Sequence, residues 1–127
     1  MKKEFAMQLI FGIFGLLAIY HILIITQVIP FDKVWAGRLK SVAEMRSFET
    51  FSLFVLVFMF TTFAVKYRQV KKGIENRWIN GLIWIFAAFY ALNTFGNLFS
   101  KNILELIFGT LVTLVLAVLC VVVARKK

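Results

Sequence analysis

Four long stretches without a charged residue dominate this chain: Phe5 to Ile29, Thr50 to Val65, Trp78 to Ser100 and Leu106 to Ala124. The charges cluster at the two ends and in the connections. A helix needs about 20 mainly apolar residues to cross a hydrocarbon core about 30 Å thick. Inside lipid an unpaired backbone group finds no water, so an open strand edge is excluded and a spanning segment is helical. No barrel-like alternation of apolar and polar residues is present. The chain is 61% hydrophobic over 127 residues, and a globule of this size has too little interior to hide that much apolar surface. The expectation is an all-α, four-helix transmembrane bundle forming a single domain. Its spans lie at about 5–29, 48–66, 78–100 and 103–124.

Local signals set the boundaries. The first stretch stops at Pro30, which ends helices by removing a donor and clashing with the preceding turn. It opens on Lys2 and Lys3, as a signal peptide would. It is much longer than the roughly 7–15 apolar residues of such a signal, however, and no small-x-small cleavage site follows. A retained span is therefore expected. The second stretch is short by itself. Ser41-Val42-Ala43-Glu44 fits a capping box, in which Ser caps the helix and Glu reaches back. Helix two then begins near Val42 and enters the membrane around Phe48. Asn102 followed by Glu105 forms a similar start for helix four.

The formal charge is +9. Nucleic-acid binders interleave Lys and Arg with polar and aromatic residues on a solvated face. Here the basic residues stand just outside apolar runs, where they meet the bilayer's anionic headgroups, so no nucleic-acid partner is expected. Lys2, Lys3, Lys66, Arg68, Lys71, Lys72, Arg77, Arg125, Lys126 and Lys127 fall on one side of the four-span topology. Lys33, Arg38, Lys40, Arg46 and Lys101 fall on the other. Positive residues favour the cytoplasmic side, which places both termini inside (N-in/C-in) and leaves a long outer loop between helices one and two. That loop also carries Asp32, and Glu44 and Glu49 follow it. No internal repeat is visible, so an inverted-repeat transporter within one chain is not supported.

Polar side chains inside a span are costly and each asks for a reason. Tyr90, Asn93, Asn97 and Ser100 recur at helical spacing on one face of helix three, with Gly96 beside them. Two readings stand together: helix packing, with Asn and Ser bonding across to neighbours, and a polar pocket lined by two carboxamides. His21 lies a little outward of the middle of helix one. If helices one and three are neighbours, its ring can meet Asn93 or Asn97, as a packing contact, a ligand contact or a proton relay. Glu49 and Glu105 stand at the outer starts of helices two and four, where a carboxylate complements the helix dipole. Convergence with Arg38, Arg46 or His21 would raise either to a site residue. In the first connection Val34, Trp35 and Leu39 can settle in the interface. Alternatively, Trp35 and Arg38 face inward as a lid, with Arg38 suited to a phosphate or carboxylate. Gly12 and Gly15 share a helix-one face with Gln8, and point to close packing on a partner helix, in a homo-oligomer or a membrane complex. The lone Cys120 cannot form an internal disulfide and reads as a small apolar residue. No second His or paired Cys completes a metal shell, and no motif implies a cofactor.

The segment Val34-Trp35-Ala36-Gly37-Arg38-Leu39-Lys40-Ser41, with Glu44-Met45, Phe48-Glu49 and Asn93-Thr94-Phe95-Gly96-Asn97, resembles a group of small uncharacterised bacterial four-span proteins. That group's loop tends to read Trp-Gly-Gly, whereas here Ala36 replaces the first Gly. The resemblance implies a bacterial inner-membrane setting and carries no activity. Small multidrug transporters, vitamin K epoxide reductase-like enzymes and fluoride channels fail on their motifs: an acidic residue in the first span, paired cysteines and a Gly-rich first helix. Three functional expectations follow. One is binding or movement of a small molecule or lipid at an outward polar pocket formed by His21, Tyr90, Asn93 and Asn97, with Trp35 and Arg38 at its mouth. Another is an accessory subunit docked through Gly12 and Gly15. The third is an intramembrane enzyme using His21 with Glu49 or Glu105.

Overall fold

The computed structural model describes residues 2–29, 40–100 and 103–125. Helices α1 (Lys3–Ile25), α2 (Val42–Lys71) and α3 (Arg77–Asn97) are followed by a π-helical segment, Glu105–Gly109, which runs directly into α4 (Thr110–Ala124). All four spans are long and apolar enough to cross a membrane. No strand is present among the described residues.

Each boundary has a local cause. The Ser41 hydroxyl accepts from the Glu44 N–H at 3.1 Å, so the expected cap starts α2 at Val42. With 30 residues, α2 extends about 45 Å at 1.5 Å per residue, and its charged ends reach beyond a hydrocarbon core about 30 Å thick. Gly73 follows its last turn with φ of 71°, the left-handed conformation that suits glycine just past a helix end. Asn76, unremarked in the sequence, caps α3 by accepting from Trp78 and Ile79 N–H at 2.9 and 3.3 Å. Helix α1 stops at Ile25, short of the expected Ile29 and well before Pro30. There the Thr26 hydroxyl turns back onto the Ile22 carbonyl at 2.9 Å, and Gln27 takes a φ of 65°, which no helix continues through. The Asn102 cap lies outside the described residues.

The helices form a ring in which α3 packs most extensively on α4 and α1 on α2. Helix α1 also meets α4, and the α2–α3 seam is the thinnest. The main core sits toward the end that holds the chain's first described residues and the α2–α3 connection. It joins Met7, Ile10 and Phe14 of α1 to Met59 and Phe63 of α2, Ile83 and Phe86 of α3, and Leu116, Cys120 and Val123 of α4. Phe14, Phe63 and Phe86 interlock there, with centroids 5.8 and 6.0 Å apart in successive pairs, the tilted and edge-on geometry that aromatic rings favour. Cys120 is fully buried and behaves as a core residue. At the far end a smaller cluster of Ile24 and Met45 joins α1 to α2 alone. Only 17% to 28% of each span is buried, and the remainder turns large apolar side chains outward.

Among the described glycines, Gly109 alone is closely approached, by the Asn97 side chain where the π-helical segment meets α3. A methyl group there would stand 3.0 Å from Asn97 Cγ, whereas one at Gly96 would meet nothing within 4 Å. Gly109→Ala should therefore destabilise the detergent-solubilised protein by about 1–3 kcal/mol, the usual cost of overpacking. Asn97→Ala in the same chain should restore most of that loss. Thermal unfolding of the single and double variants checks it; equal melting of Gly109→Ala and the parent would refute the tight contact.

Candidate functional site

The seam between α1 and α2 brings two ionisable side chains together. Ile24 packs on Met45 near the far end. On a helix, positions three and four apart share a face, so His21 lies below Ile24 and Glu49 below Met45. His21 Nδ1 and Glu49 Oε2 meet in a short hydrogen-bonded pair. The Glu49 side chain is 1% exposed and that of His21 18%. Helix two starts at Val42, so Glu49 lies about two turns inside it, beyond reach of the first-turn dipole contact expected for it. An ionised carboxylate only accepts, and Nδ1 then donates to it. Such a partner fixes the ring's orientation and leaves Nε2 to act. Among the described residues, Nε2 has no hydrogen-bond partner.

One further group, Tyr20, stands close to the pair. The Tyr20 ring lies edge-on to His21, centroids 5.7 Å apart, within electrostatic reach of both Glu49 and Glu105. Glu105, at the start of the π-helical segment, accepts from the Ser100 hydroxyl at 2.7 Å. Glu49 of α2 and Glu105 before α4 thus both lie toward the far end of α1, the end that holds Tyr20 and His21. Helix α1 packs chiefly on α2 and α4, so His21 meets Glu49 in place of the asparagines of α3.

Helix α3 turns its polar face largely to α4. The Thr94 hydroxyl shares its proton between the Tyr90 carbonyl at 2.8 Å and Thr113 Oγ1 at 2.9 Å. Thr113 donates to the Gly109 carbonyl at 2.7 Å and accepts from Asn97 Nδ2 at 3.4 Å. Tyr90 is buried and donates to Met59 sulfur at 3.2 Å. Asn97 and Tyr90 thereby serve as cross-helix bonds, while Asn93 is half-buried with no hydrogen bond among the described residues. Thr94 and Thr113 escaped the sequence reading because threonine in a span satisfies itself on its own helix, as both partly do here.

A second polar centre sits at the opposite end. Lys66, fully buried, donates to Asn80 Oδ1 at 2.6 Å, and Asn80 Nδ2 donates to Glu75 at 3.0 Å. Glu75 also stands 3.9 Å from Lys66 and 4.0 Å from Lys3. The sequence presents Lys66 as one more flanking cation. Its spacing from Met59 and Phe63, both core residues, is the signal that places it on the buried face.

Trp35 and Arg38 lie outside the described residues. The described residues hold no group of three or more His, Cys, Asp or Glu able to bind a metal. Removing one member of a buried ionisable pair is costly, about 3–5 kcal/mol, whereas replacing both with apolar residues can be neutral. His21→Leu should therefore lower thermal stability by several degrees, and His21→Leu with Glu49→Leu should recover most of it. Additive losses in this cycle would mean the two side chains do not interact. No family model, curated protein or solved structure matches the chain.

Proposed function

We propose that the chain is a four-span protein of a bacterial inner membrane, both termini cytoplasmic, that binds a small hydrogen-bonding molecule at the periplasmic end of the bundle. The observation that carries the reading is the imidazole of His21, held by a buried carboxylate through Nδ1 and without a described partner at Nε2. Maintaining an ionisable pair among lipid-facing helices is expensive, and such pairs mark ligand or proton paths. Tyr20 supplies a further polar group beside it, with Glu105 within electrostatic reach of that tyrosine. Asn93 has a carboxamide with no hydrogen bond among the described residues, and Tyr90 and Asn97, bonded to Met59 and Thr113, share its face of α3. Trp35 and Arg38 belong to the connection between the two helices that bear the pair, and add an indole and a guanidinium suited to closing over a polar ligand. The bacterial setting rests on the resemblance in the first connection and helix three. Sidedness rests on the excess of Lys and Arg around the termini and the α2–α3 connection.

An accessory-subunit reading draws on a separate observation. A Cβ at Gly12 or Gly15 would meet nothing within 4 Å, and both lie on the exposed side of α1. Small residues left open on a span are where a partner helix approaches closely.

A thermal-shift panel of small amines, carboxylic acids and sugars, run on the protein in mild detergent, tests the first reading. A compound near 100 times its Kd adds about 2.7 kcal/mol of stability, and that gain should vanish in His21→Ala. Survival of the shift in a folded His21→Ala protein would sink the assignment. Loss of a co-purifying chain on Gly15→Leu, with no shift from any compound, would favour the accessory role. For sidedness, alkaline phosphatase fused after Lys127 should stay inactive in cells; strong activity would reverse the orientation.

A further inference from the structure

Helix α2 carries an open groove on its outward face, away from the His21–Glu49 seam. Its head is lined by Arg46, Ser47 and Thr50 with Phe51 and Phe54. It continues past Thr50 and Phe54 along Leu53, Val57 and Phe58. The two shallow parts share Thr50 and Phe54 and so adjoin along one face of the helix. From Arg46 to Phe58 they cover about 18 Å at 1.5 Å per residue, close to one leaflet of a hydrocarbon core about 30 Å thick.

Polarity is graded along this trough. A cation and two hydroxyls stand at the head, and below Thr50 the lining is apolar. Arg46, Ser47 and Thr50 are all exposed, and none bonds to another described residue. Thr61, further along the same helix, satisfies its hydroxyl on the Val57 carbonyl at 2.9 Å. Thr50 makes no such bond, and its donor remains available at the groove head. Phe54, 78% exposed, forms a wall common to both parts.

We propose that this groove holds one phospholipid. Its phosphate rests on the Arg46 guanidinium with Ser47 and Thr50 donating, and one acyl chain lies along Leu53, Val57 and Phe58. Guanidinium and hydroxyl donors match phosphate oxygens, and charge assistance strengthens those bonds. A second copy of this chain fits less well, since each copy carries +9 and the exposed residues Lys40 and Arg46 at this end would repel their counterparts. The proposal does not depend on the His21 site.

Native mass spectrometry of the 127-residue chain, exchanged from mild detergent into phosphatidylglycerol-containing micelles, tests it. The parent should retain one phosphatidylglycerol per chain. Arg46→Gln should lower that occupancy at least about ten-fold, as expected for loss of a charge-assisted contact. Val57→Trp, which blocks the apolar trough at an exposed position, should do the same, while Phe95→Trp on α3 should leave it unchanged. Parent-like melting establishes that each variant is folded. Undiminished retention in either groove variant overturns the proposal. So does a dimer-to-monomer change on Val57→Trp, which would make the groove an interface between copies.

Discussion

The outward-facing surface governs everything else in this molecule. Less than a third of each span is buried, and side chains such as Phe54, Trp78 and Leu92 project away from the bundle. Water would not tolerate four such faces together. A hydrocarbon solvent tolerates them and in return demands that each backbone amide be satisfied within its own helix. Helices follow, and their charged ends follow from the need to stop at headgroups. The buried core is correspondingly small and concentrated toward one end, where Phe14, Phe63 and Phe86 lock three helices together.

In lipid, apolar packing alone discriminates poorly between helix partners, because lipid tails are as apolar as leucine. Polar contacts then acquire a specifying role, and here they fall into three groups at different places in the bundle. Lys66, Asn80 and Glu75 tie α2 to α3 and the connection between them at one end. Thr94, Asn97 and Thr113 tie α3 to the fourth span. His21 and Glu49 tie α1 to α2. The first two groups find several partners apiece, as packing bonds do. The third presents an oriented imidazole edge without a described partner, and for that reason it is the best place to seek a ligand.

The π-helical segment Glu105–Gly109 adjoins the second of these groups. Glu105 at its start reaches Ser100 and lies near Tyr20. Gly109 at its end accepts the Asn97 side chain against its backbone. A widened turn of this sort alters which residues face inward on either side of it. A regular helical wheel drawn through Leu106–Ala124 has no means of anticipating it.

Much of the fold was legible in the residues themselves. Uncharged length is a one-dimensional quantity, so four helices could be counted, and the Ser41 cap followed from a four-residue pattern. The start of α3 is legible too, since Asn76 stands as a cap residue just before the third apolar stretch. Asn97 stands out in the sequence as a polar residue within a span, but its partner Thr113 lies across a helix–helix interface; the Ser100–Glu105 bond joins residues only five apart, in the link to the fourth span. Likewise, His21 and Glu49 each stand out in the sequence as ionisable residues in or beside a span, and only the packing of α1 on α2 makes them a pair. Periodicity marks which side of a helix is special without saying which neighbour it meets.

By itself, then, the amino-acid sequence determined that the chain forms four helices long and apolar enough to cross a membrane, because that depends on local apolar length. Only the tertiary structure decided which helices are neighbours, that Lys66 is buried and that Glu49 belongs to His21. Those outcomes depend on contacts between residues far apart in the chain, and many helix arrangements satisfy the same local pattern until side chains are brought into register.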